Sequence, residues 1–144
     1  MRPDARTTEG GQAVMETILL GLVLIVPLVW ALGVLAEVHK GALATTAAVR
    51  EAGSDAARST SLEDGRRAID EAVARALADQ GLDPSLAEVT WSIDPYFRRG
   101  GIVEVQVAYP IDVVGAPLIG SVSGPSVWVR ASHITRIDPY RSRE

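Results

Sequence analysis

The fold is decided by the stretch TILLGLVLIVPLVWALGVLA, residues 17–36, which contains no charged residue. As a helix, these 20 residues cover about 30 Å, the thickness of the hydrocarbon core of a bilayer. Glu37 and Lys40 follow directly and end the apolar run. The stretch predicts a transmembrane helix over about residues 14–36. The alternative, a helix buried in a soluble core, is disfavoured because such helices rarely run this long without a polar face.

A short polar segment, residues 1–11, precedes the apolar run and is interpreted as a leader peptide. Its basic residues, Arg2 and Arg6, together with the amino terminus, favour a cytoplasmic N-terminus by the positive-inside rule. The segment and the apolar run together also fit two other interpretations. One is a membrane anchor that is never cleaved, and the other is a secretory signal peptide cut near Ala31-Leu32-Gly33. The apolar core of a signal peptide is typically about 7 to 15 residues long, so the uncleaved anchor fits better than the signal peptide.

Glu16 is the unusual residue at the front edge of the apolar run. An ionised carboxylate costs about 2.5 to 3.5 kcal/mol at the centre of a bilayer and less near its edge. Glu16 is therefore either wetted at the headgroup boundary or neutralised by a positive group. An amine produced by cutting the chain just upstream would lie close to it.

The motif GQAVME, residues 11–16, followed by a long apolar helix, resembles the processing signal of type IV pilins. The resemblance implies that a prepilin peptidase cuts after Gly11, on the cytoplasmic side. Gln12 then becomes the first residue of the mature chain and Glu16 the fifth. The resemblance also implies that Glu16 helps to align subunits by pairing with the new N-terminal amine of a neighbour.

The layout of short leader, anchor and roughly a hundred further residues is similar to TadE-like minor pilins or pseudopilins of tight-adherence (Flp) pilus systems. The specific resemblance covers roughly residues 9–58, with Thr17 and Glu9 departing from the usual flanks. It implies a single-pass protein of the cell membrane with an extracytoplasmic C-terminal domain, incorporated in or accompanying a pilus. The implied partners are the prepilin peptidase, other pilin or pseudopilin subunits, inner-membrane pilus assembly proteins and membrane lipid.

Beyond the membrane, the first helix is expected to continue to Arg58, giving an N-terminal helix over residues 12–58. Pro27 predicts a kink, because proline removes one backbone hydrogen bond and crowds the preceding turn. Ala44, Ala48, Ala52 and Ala56 recur every four residues and predict a ridge of small residues, which another helix or the protein's own sheet could approach closely.

Residues 59–144 predict an extracytoplasmic α+β domain. A second, amphipathic helix is expected to start with a capping box of Thr60 and Glu63 and to end before Gly81. Alternating apolar residues predict strands over 88–93 and 103–109, joined as a hairpin, and a third strand over 127–137. Together they predict a small antiparallel sheet of about three strands with helices on one face. Residues 110–126, apolar but rich in Pro and Gly, predict a long loop of unassigned role.

The remaining composition narrows the function to a structural or binding role. The chain has no cysteine, a net charge of -4 and no dense basic run, so nothing points to thiol chemistry or nucleic-acid binding. Its two histidines, His39 and His133, form no set of metal ligands, and Ser132-His133 lacks a third catalytic partner. We expect no enzymatic activity, cofactor, metal or small-molecule substrate.

Overall fold

The computed structural model describes residues 6–94, 100–114 and 123–137. Helix α1 spans Arg6–Arg58 and helix α2 spans Leu62–Asp79, and a short 3-10 helix at Pro84–Leu86 leads into the sheet. Strands β1 (Glu88–Ile93), β2 (Ile102–Val114) and β3 (Ser123–Arg136) form an antiparallel sheet in the order β1-β2-β3. The prediction of an α+β fold with a long N-terminal helix is confirmed.

Helix α1 has two halves in contrasting environments. It is 53 residues long, which corresponds to about 80 Å. No residue from 11 to 40 is buried. Most of the large apolar side chains from Val14 to Leu35 are between 56% and 74% exposed, while Val26, Trp30 and Val34 are half-buried. From Gly41 onward one face of the same helix is buried. The C-terminal half of α1 is therefore part of the folded domain, while the N-terminal half projects from it.

The hydrophobic core lies between the C-terminal half of α1, helix α2 and one face of the sheet. The predicted small-residue ridge is confirmed: Ala44, Ala48, Ala52 and Ala56 are all 0% exposed. The opposing side of the core is built from larger side chains of α2 and β2, including Ile69, Leu77, Val103, Val105 and Val107. Small residues on α1 thus let a second helix and a sheet pack closely against one helix.

Two glycines of α1 lie directly against side chains of the sheet. A Cβ atom at Gly41 would lie 2.7 Å from Cδ1 of Ile111, and one at Gly53 would lie 3.1 Å from Cδ2 of His133. Between them Thr45 is 0% exposed, and its hydroxyl donates to the carbonyl of Gly41 at 3.0 Å. At Gly41 and Gly53, therefore, the sheet side chains occupy the space that a larger residue of α1 would need.

The N-cap of helix α2 lies one residue later than predicted. The N-cap is Ser61, whose hydroxyl accepts from the backbone N–H of Asp64 at 3.1 Å. The predicted capping box of Thr60 with Glu63 is wrong, because Ser61 has the extended backbone of an N-cap and Thr60 instead donates to the Asp64 carboxylate at 2.8 Å. The predicted end before Gly81 is confirmed, since Gly81 has a φ of 67°.

Helix α2 is held to its neighbours at both faces. The guanidinium of Arg75 donates to Glu51 of α1 at 2.8 Å and to Asp55 at 3.4 Å. On the other side, the guanidinium of Arg66 lies 4.7 Å from the ring centroid of Trp91 in β1. These polar contacts surround a buried apolar stripe on α2 that includes Ile69 and Leu77.

The sheet confirms the predicted β1–β2 hairpin and corrects the predicted loop. β1 has the predicted bounds and pairs with β2 from Glu88 with Ala108 to Ile93 with Val103. The loop predicted over residues 110–126 is wrong at both ends, because β2 runs to Val114 and β3 starts at Ser123. Pro110 is tolerated in β2 because β1 pairs with β2 no further than Ala108, so that among the described residues Pro110 is flanked by β3 alone. Residues 115–122 lie outside the described residues.

Candidate processing and membrane-anchoring site

The residues of the predicted processing signal lie together on the projecting half of α1. Gly11, Gln12 and Glu16 are all exposed. Gln12 and Glu16 are four residues apart and therefore lie one above the other on the same helix face. A Cβ atom at Gly11 would have no neighbour within 4 Å. The described part of the chain therefore leaves this surface open to another protein.

At the start of the apolar run, a polar side chain is hydrogen-bonded within its own helix. Thr17, which follows Glu16, donates its hydroxyl to the carbonyl of Ala13 at 2.9 Å. A hydroxyl paired within its own helix is tolerated in lipid, because no water is needed to satisfy it. Glu16 is then the residue at this edge of the run whose charge needs an external partner, either water or a cation.

The predicted cut lies inside a helix. α1 begins at Arg6, so the bond after Gly11 is preceded by helical residues. Gly10 and Gly11 each disfavour a helix by about 1 kcal/mol relative to alanine. Residues near a helix end also lack some of their backbone hydrogen bonds. Unwinding the first turns of α1, so that a peptidase can reach the bond after Gly11, therefore costs little free energy.

The apolar run is not buried against the rest of the described chain. One helix, Gly11–Arg58, is long and apolar enough to cross a membrane, and none of its most apolar window is buried against the rest of the protein. This exposure removes the alternative of a helix buried in the core of this chain. Length and composition alone would also fit a signal sequence. Pro27 lies exposed within α1, with helix on both sides, and the kink at this position stays a prediction.

The C-terminal end of the apolar run is followed by charged residues. Nζ of Lys40 lies 3.9 Å from a carboxylate oxygen of Glu37, one turn earlier on α1. His39 is exposed beside them. Among the described residues, no group of three or more His, Asp and Glu residues has an arrangement that could hold a metal ion.

Ser132 and His133 do not form a catalytic pair. His133 lies on the face of β3 that packs on α1, since its ring is the nearest group to a Cβ at Gly53. Adjacent residues in a strand point to opposite faces, so Ser132 points away from α1. The hydroxyl and the imidazole are therefore separated by the sheet itself.

Nothing in the sequence patterns singles out Trp128, although the structure places it at an informative position. It is 42% exposed, on the face of β3 opposite α1, near the end of the β2–β3 hairpin. Arg130, two residues further, is exposed on the same face. The alternation of a strand predicts that Trp128 and Arg130 share a face. The packing of β3 against α1 is needed to show at which end of the domain they lie.

Comparison with known proteins identifies no relative: no family model, no curated protein and no solved structure matches this chain.

Proposed function

We propose that this chain is a structural subunit, not an enzyme: a minor pilin or pseudopilin of a tight-adherence, type IV-like pilus. Its N-terminal helix is inserted in the cell membrane with the N-terminus in the cytoplasm and the α+β domain outside. A prepilin peptidase removes residues 1–11, and the mature chain begins at Gln12. The helix then joins other pilin or pseudopilin subunits and the inner-membrane assembly proteins.

The observation that carries this proposal is an apolar helix with no buried residue from 11 to 40 and with one carboxylate, that of Glu16, at its front edge. Helices that are apolar on all sides need lipid or other helices as neighbours. A bilayer supplies the first and a pilus core the second. The same apolar side chains, most of them 56% to 74% exposed from Val14 to Leu35, serve both environments.

Glu16 has a distinct role in this proposal. In the bilayer it lies at the boundary of the hydrocarbon, where an ionised carboxylate costs less than at the centre. In a filament core that excludes water it needs a cation, and the new amine on Gln12 of a neighbouring subunit supplies one. Pairing a carboxylate with an amine at low dielectric is strongly dependent on position. Glu16 thereby favours one axial register between subunits.

A second candidate is an uncleaved, single-pass membrane-anchored binding module. It is favoured by the start of α1 at Arg6, which places the bond after Gly11 within a continuous helix. In that case the leader stays attached, Glu16 remains near the cytoplasmic headgroups, and the α+β domain acts alone outside the membrane.

The two candidates are separated by two substitutions in the full chain. Gly11→Val blocks the cut and retains residues 1–11, because a branched side chain replaces the glycine at the cleavage site. Glu16→Ala is cut normally, yet fails to enter sheared pilus fractions because its partner amine has lost its carboxylate. The length of the chain is read by intact mass, and its location by immunoblotting of membrane and pilus fractions.

Neighbouring residues provide matched controls. Gly10→Val adds the same side chain one residue upstream and leaves Gly11 in place, so it is still cut. Glu9→Gln removes a carboxylate that the cut discards, so assembly is unchanged. If Gly11→Val and Glu16→Ala are both processed and assembled like the wild type, the pilin proposal is wrong.

A further inference from the structure

The direction of the sheet relative to α1 follows from two contacts. Gly41 lies against Ile111 and Val129, whereas Gly53, further along α1, lies against His133 and Thr135. Twelve helical residues from Gly41 to Gly53 rise about 18 Å. On β3, the four to six residues from Val129 to His133 or Thr135 cover about 13 to 20 Å. β3 therefore runs nearly parallel to α1 and in the same direction.

This alignment turns the end of the β2–β3 pair at Val114 and Ser123 toward the apolar half of α1. The apolar run ends at Ala36, about 8 Å before Gly41 along the helix. From Ile111, at the height of Gly41, β2 continues for three more residues to Val114, or about 10 Å. The end of the hairpin thus reaches the level at which the apolar run stops.

The composition of this end matches its position. Residues 113–129 contain no charged residue, and they are bracketed by Asp112 and Arg130. After the apolar run of α1, this is the longest uncharged stretch in the chain. Val127 and Trp128, on opposite faces of β3, are 41% and 42% exposed, so large apolar side chains reach solvent on both faces of this end of the strand. Arg130 lies on the same face as Trp128, on the side away from the apolar run.

We propose that the end of β2 at Val113 and the adjoining part of β3 at Val127 and Trp128 form a second membrane contact, resting in the headgroup layer of the bilayer that α1 crosses, with Trp128 as its anchor. The headgroup region is about 5 to 8 Å thick on each side, which matches the height of Trp128 near Gly41. Tryptophan favours this layer because its ring is apolar and its N–H is polar. Arg130 then lies just outside this layer, from which its long side chain reaches back to the lipid phosphates. Two attachments, one by α1 and one by the hairpin, fix the tilt of the domain on the membrane.

The inference rests on the proposed insertion of α1, and the three tryptophans of the chain test the two separately. Trp30 lies about 9 Å inside the apolar run from Ala36, and Trp128 lies at the height of Gly41. Trp91 pairs with Val105, which in turn pairs with His133, so it lies near Gly53, about 25 Å from Ala36. Each tryptophan therefore reports on a different height.

The experiment uses full-length chains reconstituted in phosphatidylcholine vesicles, each retaining one tryptophan, with the other two changed to phenylalanine. Quenching is compared for lipids carrying a nitroxide on the headgroup and lipids carrying it deep in the acyl chain. We expect Trp128 to be quenched most by the headgroup nitroxide, Trp30 most by the deep one, and Trp91 by neither. Because Trp91 is half-buried, Ile134→Trp in a chain lacking the other tryptophans supplies an exposed probe at the same distal height.

The outcomes separate the two claims. If Trp30 is not quenched by the deep nitroxide, α1 is not inserted, and the membrane part of the proposed function fails together with this inference. If Trp30 is quenched and Trp128 behaves like the distal probes, α1 is inserted and the second contact is refuted. A blue-shifted Trp128 that neither lipid quenches also refutes it and indicates a protein neighbour, such as a second copy of this chain.

A measurement on the unsubstituted chain tests the same contact without the risk that a substitution disturbs folding. In nanodiscs containing the headgroup nitroxide, paramagnetic broadening should affect the methyl signals of Val127 and leave those of Ile134 unchanged. Both side chains are exposed, at 41% and 61% respectively, so the difference reports on height above the bilayer. Equal broadening of the two, or none at Val127, overturns the proposal.

Discussion

Replacing Ala48 by leucine should destabilise the domain, because the buried ridge of α1 has no room for a larger side chain. Ala48 is 0% exposed and lies between Gly41 and Gly53 on the helix. At those two glycines even a single added carbon would lie 2.7 Å and 3.1 Å from side chains of the sheet. Leucine at position 48 adds a whole isopropyl group in the same closely packed layer.

The expected cost follows from this spacing. Overpacking a core by a few carbons typically costs about 1 to 3 kcal/mol, through shifted backbones and strained rotamers. The upper half of that range is expected here, because α1 is in contact with both α2 and the sheet and cannot move away from one without pressing on the other. For a domain of about 100 residues, each kcal/mol lowers the melting temperature by about 4 to 8 °C.

The neighbouring residue supplies the control. Ala47→Leu makes the same chemical change with the same small change in helix propensity, but Ala47 is exposed. Unfolding of the detergent-solubilised full chain, followed by circular dichroism, should show a large loss of stability for Ala48→Leu and almost none for Ala47→Leu. Equal stabilities of the two variants would refute the account of close packing along the ridge.

Three further substitutions test the caps and ion pairs. Ser61→Ala should lower stability by about 1 kcal/mol through loss of the N-cap, which denaturant unfolding measures. In the same variant the pKa of Asp64, which hydrogen bonds from Ser61 and then Thr60 hold below its ordinary value of 3.8, should rise in an NMR titration. Because the folded-state pKa is depressed, the stabilising effect of this carboxylate is present above about pH 4 and is lost as the pH falls through the folded-state pKa. Gly81→Ala should cost about 1 to 2 kcal/mol in the same unfolding assay, since a φ of 67° is unfavourable for residues with a Cβ. Arg75→Ala should cost less than about 1 kcal/mol, and less at high salt, because its ion pairs with α1 are solvent-exposed.

The elements that the sequence predicts well are those with a clear period or a clear absence of charge. The uncharged run of residues 17–36 places α1, the alanines from 44 to 56 show its buried face, and the alternation over 88–93 gives β1 with its observed bounds. These patterns reflect burial and backbone geometry, which act along the whole element. Replacing a single residue therefore alters such a pattern little.

The errors occur where a tertiary neighbour decides the outcome. Thr60, Ser61 and Asp64 offer several polar groups for the start of α2, and only the backbone conformation of Ser61 selects it as the N-cap. Pro110 and the glycines after it indicate a loop, yet β3 extends the pairing of β2 to Val114, across a register shift between Asp112 and Val114. The absence of β1 beside Pro110 is a property of the fold and leaves no local sequence signal.

The processing signal illustrates a different limit. Gly11, Gln12 and Glu16 are recognisable by spacing, and the structure shows them exposed on one helix, but their proposed roles depend on a peptidase and on neighbouring subunits. The fold of the domain is compatible with each of three possible forms of the N-terminal segment. Removal of residues 1–11, retention of the whole chain, and a cut near Gly33 all leave the buried face from Gly41 to Ala56 intact.

The central claim, that this chain is a processed pilin-like subunit, is tested most directly by the N-terminus of the protein isolated from its native membrane. N-terminal sequencing together with intact mass should give Gln12 as the first residue, with residues 1–11 absent and the apolar run retained. An intact Met1 would contradict the claim and support an uncleaved anchor. A chain that has lost the apolar run, beginning after Gly33, would contradict it as well and indicate secretion.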